Sequence, residues 1–385
     1  MYQVLVTSGD PHKAYVICKA LHRCGLRVHI GDSQRLTMAA CSRYCSGRMT
    51  YTDPDVDVRR FMDDISRYIE REGVDIVLPT MDETYVLAAH ADRLPGRVRS
   101  LLPSHAQIAM TNDKSIITGV ARELGIDVPE TWEVSALLHD LQAAQALPYP
   151  VIIKPKIGKG GWATARIDDV ATLQDVLRST VNPDGYMVQR FIDGDVVAAC
   201  AIYRNGRCMA RDSYLPRSTF PPKVGPPTTR TSVHFGETLD SLIRLLDHLA
   251  WNGVCEVDYV IEKSTGKSYL LDVNPRFWAS IAHNIAAGVN YPYYYCKLAL
   301  GDENIGTPEA VPGTTTCWLA GDLRRVAAEV WAAKSRVRHV LDWIAARPHY
   351  NAYDDWDMND PLPFLCWWGS ALTRKVGAIM RRRAG

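Results

Sequence analysis

The feature that most constrains the fold is a pair of apolar segments, Gly253–Val260 and Ser268–Arg276, joined by a short glycine-containing turn. Both segments are rich in β-branched and aliphatic residues, a pattern that predicts a β-hairpin. Side chains alternate between the two faces of a strand, so Asp272 and Asn274 project from the same face. Asp258 on the partner strand can join them there. The hairpin is therefore predicted to carry a row of polar groups on one face.

This polar row has the chemistry of a divalent-cation site. Two carboxylates and an amide oxygen are hard ligands that suit Mg²⁺, with Mn²⁺ as the alternative ion. Arg276, one step further along the same face, is a fork-shaped donor for a phosphate or a carboxylate. An isolated D-x-N-x-R pattern is typical of a solvated hairpin. Asp272 and Asn274, however, interrupt a strongly apolar strand, where unpaired polar groups are costly, and this favours a binding site.

An acid on one strand and an acid-x-Asn-x-Arg pattern on the next resemble the metal-binding strands of the ATP-grasp superfamily. The following Phe277–Ser280 resembles its carbamoyl-phosphate-synthase-like ligase branch. The resemblance implies an α/β fold with an α+β lid. An N-terminal Rossmann-like domain at residues 1–110 would precede a two-lobed ATP-grasp domain at 111–305, with its lid at about 130–192. Residues 306–385 are predicted to form a C-terminal helical extension.

Composition excludes several classes of protein. A chain of 385 residues that is 47% apolar and 23% charged is long enough for two or three packed units of an ordinary soluble type. A formal charge of +1 gives no reason to expect nucleic acid as a partner. The ten cysteines lack zinc-type spacing, and neither a signal peptide nor a membrane-spanning apolar run is visible. These features predict a reduced, cytoplasmic protein.

The first segment predicts a βαβ unit, with a strand at Val4–Thr7, a helix from about His12 to Arg23 and a strand at Leu26–Ile30. A dinucleotide-binding fold has this order, but only Gly9 lies in the first turn. The G-x-G-x-x-G phosphate cradle is missing, which argues against a nicotinamide oxidoreductase. The resemblance agrees, because ATP-grasp ligases often begin with such a domain and do not bind the nucleotide there.

Asp82 and Glu83 follow the predicted strand Val74–Pro79, at the sheet edge where ligands bind in open α/β folds. They can reach an amine-bearing substrate from this edge. The simpler interpretation is that they begin the next helix, where acids complement the helix dipole.

Two lysines are candidates for binding phosphate. Lys154 lies near the end of an apolar strand and precedes a loop that contains Gly160 and Gly161, whose flexible backbone can wrap phosphate oxygens. A hairpin turn with three glycines is the alternative. Lys114 lies in the first turn of a helix that Thr111 or Asn112 is predicted to cap, a position where the dipole disfavours a cation. The resemblance implies that both lysines contact the nucleotide phosphates.

Residues 186–195 resemble the hinge strand of the same superfamily, whose backbone reads the adenine edge. The resemblance assigns nucleotide contacts to four consecutive residues, Gln189, Arg190, Phe191 and Ile192. Many members place a ribose-binding Glu where this chain has Val196, and Asp195, which precedes it, is the predicted substitute.

The segment Pro216–Thr231 is rich in Pro, Gly and Thr and is predicted to be a loop. It carries Arg217, Lys223 and Arg230, and a cation here would steady the transferred phosphoryl group or an anionic substrate. Solvated loop charge is the alternative for Arg217 and Lys223. Arg230 is the candidate that we retain.

The end of the chain joins aromatic residues to a basic run. An exposed helix is predicted at 322–336 and a loop at 354–363, before Phe364–Trp368 and a cluster of arginines and lysine from Arg374 onward. The expected arrangement is a helix that packs on the ligase body. Contact with a membrane surface or a partner is the alternative.

Together these features predict an enzyme: an ATP-grasp ligase that forms a C–N bond between a small-molecule carboxylate and an amine and releases ADP and phosphate. Phosphoryl transfer would make the carboxylate an acyl phosphate, with Arg276 and Arg230 at the acyl end. The alternatives are carboxyphosphate chemistry, although no biotin-carrier or glutaminase signal is visible, and a nucleotide-binding scaffold without turnover. The sequence identifies neither substrate and leaves a homodimer open.

Overall fold

The computed structural model describes residues 1–158, 164–222, 225–332, 335–346 and 348–369. The described strands form three sheets, two of four strands and one of seven. No helix within the described ranges is long and apolar enough to cross a membrane.

The strands, in chain order, have the following bounds: β1 (Gln3–Val6), β2 (Arg27–Asp32), β3 (Cys45–Thr50), β4 (Ile76–Leu78), β5 (Thr131–Glu133), β6 (Val151–Pro155), β7 (Ala165–Ile167), β8 (Tyr186–Arg190), β9 (Gly194–Arg204), β10 (Arg207–Thr219), β11 (Pro227–Val233), β12 (Gly253–Glu262), β13 (Ser268–Asn274), β14 (Thr315–Cys317) and β15 (Ala352–Tyr353). The α-helices have the following bounds: α1 (His12–Arg23), α2 (Val58–Glu72), α3 (Glu83–Ala89), α4 (His105–Asn112), α5 (Lys114–Glu123), α6 (Val134–His139), α7 (Leu141–Gln145), α8 (Val170–Ser179), α9 (Gly236–His248), α10 (Ile281–Ala286), α11 (Tyr291–Ala299), α12 (Leu319–Ala332) and α13 (Arg336–Ala346). A further helical segment covers 362–369.

The N-terminal sheet has the order β3-β2-β1-β4, and all of its pairings are parallel. The predicted strand–helix–strand start is present, and α1 has the predicted bounds. Strand β3 was not predicted, because its sequence CSGRMT alternates small or sulfur-containing residues with exposed polar ones and lacks a run of β-branched residues. It occupies the sheet edge, where burial is partial.

The central sheet has the order β13-β12-β9-β10-β11-β14-β15. The predicted loop at 216–231 is wrong, because β10 and β11 pair antiparallel across most of it. The register shifts between Pro216 and Ser218, and such an irregularity accommodates a proline within a strand. The segment after residue 305 contains strands β14 and β15 as well as helices, and these two strands complete the sheet. Asp322, in the helix that was predicted to be exposed, is buried.

The third sheet, β5-β8-β6-β7, is antiparallel and lies within the predicted lid. Its residues pack with α6, α7 and α8 into a hydrophobic cluster that is separate from the cores of the other sheets. Lys154 on β6 nevertheless donates to the Leu271 carbonyl of β13, at 3.1 Å. The lid sheet and the central hairpin therefore meet at this lysine.

Four aspartates between residues 354 and 360 anchor the end of the chain. Asp360 accepts a hydrogen bond from the Ser42 hydroxyl at 2.5 Å, and Asp357 accepts one from the Tyr44 hydroxyl at 3.2 Å. Asp355 accepts from two backbone N–H groups at the start of α12, at 3.0 Å each. These bonds, with Asp354 described below, tie the tail to the N-terminal unit and to the central sheet.

Candidate active site

The hairpin presents four polar side chains on one face. Asp258 on β12 is paired directly with Asp272 on β13, and Glu256 is paired with Asn274. Directly opposed residues of antiparallel strands share a face, and residues two apart along a strand also share one. The opposite face is apolar and belongs to a buried cluster, with members Cys255, Val257, Tyr259, Leu270 and Val273. Side chains of the hairpin therefore alternate between a polar and an apolar face, as the sequence predicts.

Glu256 is the acid that the sequence interpretation left out. It is 8% exposed, accepts a hydrogen bond from the Tyr214 hydroxyl, and lies 3.5 Å from the Asn274 amide nitrogen. Burial raises the pKa of Glu256 to about 7, although Tyr214, Arg276 and Lys13 oppose the shift. The sequence does contain a feature that predicts its place in the polar row. Glu256 precedes Asp258 by two residues, so both face the same side, and it also interrupts an apolar strand.

The acids of this face, of which Glu256 is buried and Asp258 and Asp272 are half-buried, repel one another. Burial raises the pKa of Asp258 well above its ordinary value, and the neighbouring Glu256 and Asp272 carboxylates raise it further. A pair of carboxylates in this position retains its negative charge only beside compensating cations. The electrostatics of the hairpin face thus favour a cationic ligand or cationic side chains.

Two lysines approach this face from different elements. Lys114, the first residue of α5, places Nζ 3.1 Å from Asp272 Oδ1 and also donates to the Gly158 carbonyl at 3.1 Å. Lys154 from the lid is 8% exposed, and burial lowers its pKa to about 8 while Asp272 opposes the shift. The structure therefore brings together Lys114, Lys154 and Asp272, which lie far apart in the sequence.

The position of Lys114 depends on a helix cap that differs from the predicted one. Asp113 caps α5, and its Oδ1 accepts from the N–H groups of Ser115 and Ile116 at 2.8 and 3.2 Å. Thr111 and Asn112 belong to the preceding helix α4, so neither is the cap. The backbone N–H of Lys114 donates to the Lys156 carbonyl at 2.9 Å, which ties the start of α5 to the segment that follows β6.

The donor set fits a magnesium ion. Asp258 and Asp272 are opposed across the hairpin, and Asn274 adds an amide oxygen on the same face. Across the described part of the chain, no group of three or more His, Cys, Asp and Glu side chains could hold a metal ion by itself. Mg²⁺ commonly takes only one or two protein carboxylates and fills its other positions with water and phosphate oxygens. The three predicted ligands match that pattern.

The hinge residues lie at the end of β8, an inner strand of the lid sheet, and in the segment that follows it. Gln189 is 3% exposed and donates from Nε2 to the Thr131 hydroxyl at 3.0 Å. The Arg190 guanidinium is 3.3 Å from Glu262, and the Phe191 N–H donates to the Pro150 carbonyl at 3.1 Å. The Ile192 N–H donates to no acceptor within the described ranges. It is the hinge N–H that remains for a ligand.

Three other residues, Asp195, Gly160 and Gly161, are predicted to contact the nucleotide. Asp195 is the second residue of β9, opposite Ile261 on β12, and it is exposed. Gly160 and Gly161 of the predicted phosphate loop lie outside the described residues.

Arg276 lies between the hairpin and the N-terminal unit. Its side chain is 14% exposed, its Nε is 3.7 Å from Asp82 Oδ1, and its Nη1 donates to the Phe277 carbonyl at 3.2 Å. Glu83 begins α3, as the simpler interpretation expected, and accepts from the hydroxyls of Ser8 and Tyr51. The carboxyl edge of the N-terminal sheet therefore faces the polar end of the hairpin.

Arg230 does not join this cluster. It is fully buried on β11, where its guanidinium forms two hydrogen bonds to Asp354, at 2.9 and 2.7 Å, and one to the Ser280 hydroxyl at 3.0 Å. The register places it three strands from Asp258, a separation of roughly 14 Å. The structure therefore does not bring Arg230 to the other predicted site residues, because it is paired with a tail carboxylate within the protein.

Comparison with known proteins identifies one domain of this chain. A family model described as an ATP-grasp domain matches residues 111–280. Those residues include the two lysines, the hinge and the metal-type hairpin described above. The predicted α/β fold with an ATP-grasp domain is confirmed by this match and by the solved structures described below.

The curated relatives include carbamoyl phosphate synthase large chains. The arginine-specific mitochondrial large chain of Schizosaccharomyces pombe is 23% identical over 288 residues, which are 69% of this chain and 24% of that protein. The N-terminal section of the large chain of Methanopyrus kandleri is 22% identical over 315 residues, or 74% of this chain and 52% of that protein. This chain therefore spans about a quarter to a half of these relatives.

Solved structures share the fold at low identity. L-amino acid ligase from Bacillus licheniformis has a TM-score of 0.60 at 17% identity, covering 82% of this chain and 78% of that one. N5-carboxyaminoimidazole synthetase from Staphylococcus aureus, complexed with ADP, has a TM-score of 0.63 at 12% identity and covers 82% and 81%. The biotin carboxylase domain dimer of Hydrogenobacter thermophilus 2-oxoglutarate carboxylase, with MgADP and bicarbonate, has a TM-score of 0.62 at 11% identity and covers 82% and 73%.

Proposed function

Because residues 111–280 form an ATP-grasp domain, we propose that this protein is an ATP-dependent ligase that joins a carboxylate to an amine through an acyl phosphate. ADP and phosphate are the expected products. The observation that carries the proposal is the convergence of Lys114, Lys154 and Asp272, from α5, the lid and the hairpin respectively, on one point. The two lysines bring positive charge from α5 and the lid, and Asp272 brings a carboxylate that suits a metal ion, so the three together suit a metal-bound polyphosphate.

The nucleotide would lie between the lid and the hairpin. Lys114 and Lys154 would bind its phosphates, and the Ile192 N–H would donate to the adenine edge. Gln189 supports the hinge from inside the lid through its bond to Thr131. Asp195 is retained as the proposed ribose contact because it is exposed at the start of β9, next to the hinge.

The chain's own side chains would perform positioning and charge compensation. Asp258, Asp272 and Asn274 would hold Mg²⁺, which when bound supplies positive charge beside the phosphate oxygens. Arg276 would bind and orient the carboxylate that accepts the phosphoryl group. The lid core, packed separately, would cover the site and exclude water, which would otherwise hydrolyse an acyl phosphate.

The test is a product assay across a panel of carboxylates with hydroxylamine in place of the amine. The proposal predicts that one or more carboxylates give ADP, phosphate and a hydroxamate together. An adenylating enzyme would also give the hydroxamate, but with AMP and pyrophosphate. AMP as the nucleotide product, or a panel that yields no ADP, would contradict the proposal.

Bicarbonate as the acid is the second candidate. Its support is that the matched relatives include carbamoyl phosphate synthases and a biotin carboxylase structure that contains bicarbonate. The expected result would be ATP hydrolysis that depends on bicarbonate and requires no other carboxylate. Removing dissolved carbon dioxide from the assay separates the two candidates.

A further inference from the structure

A buried lysine from the N-terminal unit faces the candidate active site. Lys13 lies in the first turn of α1 and is 3% exposed. Its ammonium donates to the Phe277 carbonyl, at 2.7 Å, immediately after the hairpin's Arg276. Lysine is rarely buried to this extent without a paired acid.

Within the described ranges, Lys13 forms no ion pair of 4 Å or less. Glu256 and Glu83 attract it only from a longer range. Burial lowers the pKa of Lys13 well below its ordinary value, and Arg276 lowers it further. A buried ammonium that uses one of its three donors is costly, and an anion beside it would restore both the charge and the hydrogen bonds.

Arg276 shares the carbonyl to which Lys13 is bonded. Its Nη1 donates to Phe277 O at 3.2 Å, and because both donors bond to one oxygen, the two nitrogens lie within about 6 Å of each other. A carboxylate can accept from both cations across such a gap. Arg276 follows Asn274 by two residues, so the Phe277 carbonyl lies just beyond the polar row of the hairpin. Both cations are bonded to this carbonyl and are therefore held beside that row.

We propose that Lys13 and Arg276 form a two-cation binding site for the carboxylate of the acyl-donor substrate. The assignment of this carboxylate as the acyl donor rests on the proposed function. The site spans two units of the chain, because Lys13 belongs to the helix packed on the N-terminal sheet and Arg276 follows the last strand of the hairpin. The N-terminal unit thus contributes a substrate-binding residue.

The test compares three variants of the full-length protein. Lys13→Gln keeps an N–H donor for the Phe277 carbonyl while removing the charge, and Lys13→Met removes both. Lys19→Met is the matched control, because Lys19 lies on the same helix and instead faces Asp357, at 3.5 Å. Melting temperature is measured for each protein with acetate, succinate and the common L-amino acids, without nucleotide.

We expect a carboxylate of this panel to stabilise the wild type and Lys19→Met, and the calorimetric dissociation constant to rise by about tenfold or more in both Lys13 variants. Equal binding by wild type and a folded Lys13→Gln would overturn the site, as would a panel that leaves the wild type unshifted. If both Lys13 variants fail to fold while Lys19→Met folds, the lysine is structural and the proposal is wrong.

The binding test is independent of turnover. Carboxylate binding that requires Lys13, in a protein that releases no ADP, would uphold this site and contradict the proposed ligase. Lys13→Gln could instead leave both the kcat of ADP release and the KM for the carboxylate unchanged. That result would support the proposed ligase and contradict this site.

Discussion

One face of the central sheet carries two clusters, each of which contains both cations and acids. The two clusters differ in how completely these charges are paired. At one end, Arg230 and Asp354 are both fully buried and joined by two short hydrogen bonds, with Ser280 as a further acceptor. At the other end, Lys154 and Asp258 have strongly shifted pKa values, and Lys114 approaches Asp272 as a single contact. The charges of the first cluster are compensated within the protein, whereas those of the second are compensated only in part. Charge alone therefore does not mark a candidate active site, whereas incomplete compensation favours one.

The largest effect is expected from breaking the complete cluster. Arg230→Met leaves Asp354 buried without its partner and should lower the free energy of unfolding by about 3–5 kcal/mol. Urea denaturation would measure the loss. Arg178→Met, which breaks an exposed pair with Asp175, is the control and should cost less than about 1 kcal/mol. A double variant with Asp354→Leu should recover most of the stability, and a loss that remains would show that the pair contributes more than mutual neutralisation.

Removing an acid from the incomplete cluster should act on rate and not on folding. Asp272→Ala removes a proposed metal ligand and the partner of Lys114. The activation free energy of ADP formation should therefore rise by about 3 kcal/mol or more, which slows the reaction. Nucleotide affinity should fall less, since both lysines and the hinge remain. Steady-state kinetics with Asp175→Ala as the exposed control would test this, and near-normal turnover by the Asp272 variant would contradict the metal site.

A smaller effect is expected from the lid lysine. Lys154→Ala should weaken ATP binding by about 1.5–3 kcal/mol, because a charge-assisted hydrogen bond to phosphate is lost. Its stability should hold, since the variant also removes a poorly compensated buried charge. Calorimetry of ATP binding would measure the change against Lys263→Ala, an exposed lysine of the hairpin turn. The same ATP affinity in both variants would remove Lys154 from the nucleotide site.

The smallest effect concerns pH and the complete cluster. His283 is fully buried between Ser232 and Thr316, and burial lowers its pKa to about 3, with Arg230 adding to the shift. The unfolded chain protonates its histidine near pH 6.5, whereas the folded protein does not until about pH 3. Stability from this group is therefore present above pH 6.5 and is lost as pH falls, by at most about 1.4 kcal/mol per pH unit.

The measurement is the difference in unfolding free energy between wild type and His283→Gln, followed from pH 7 to pH 5. The advantage of the wild type should shrink over that range, because the variant has no proton to bind at this position. His105→Gln, an exposed histidine, is the control and should show no such trend. A constant difference for His283 would mean that its environment tolerates the charge.

The sequence predicted those features that depend on local pattern. The hairpin, the bounds of α1, and the facing of Asp272 and Asn274 follow from strand and helix periodicity over a few residues. The partner of Arg230 could not be predicted in this way, because Asp354 lies 124 residues further along and no periodicity connects them. Lys13 was missed for the same reason, since its burial depends on Phe277, 264 residues away. Edge strand β3 was missed because its composition does not favour a strand, and its strand conformation depends on pairing with β2.

The aspartate anchors of the tail have a consequence for biosynthesis. The Ser42–Asp360 and Tyr44–Asp357 bonds join residues more than 300 positions apart, and β11 gains its outer neighbour only when β14 is available. A ribosome that has synthesised the hairpin has not yet supplied these groups. The nascent sheet then exposes β11 as an unpaired edge and leaves Arg230 without its counter-ion, which are features that promote misassembly. Ribosome-bound chains stalled before residue 315 should therefore recruit chaperones more than chains stalled after residue 369 has left the exit tunnel.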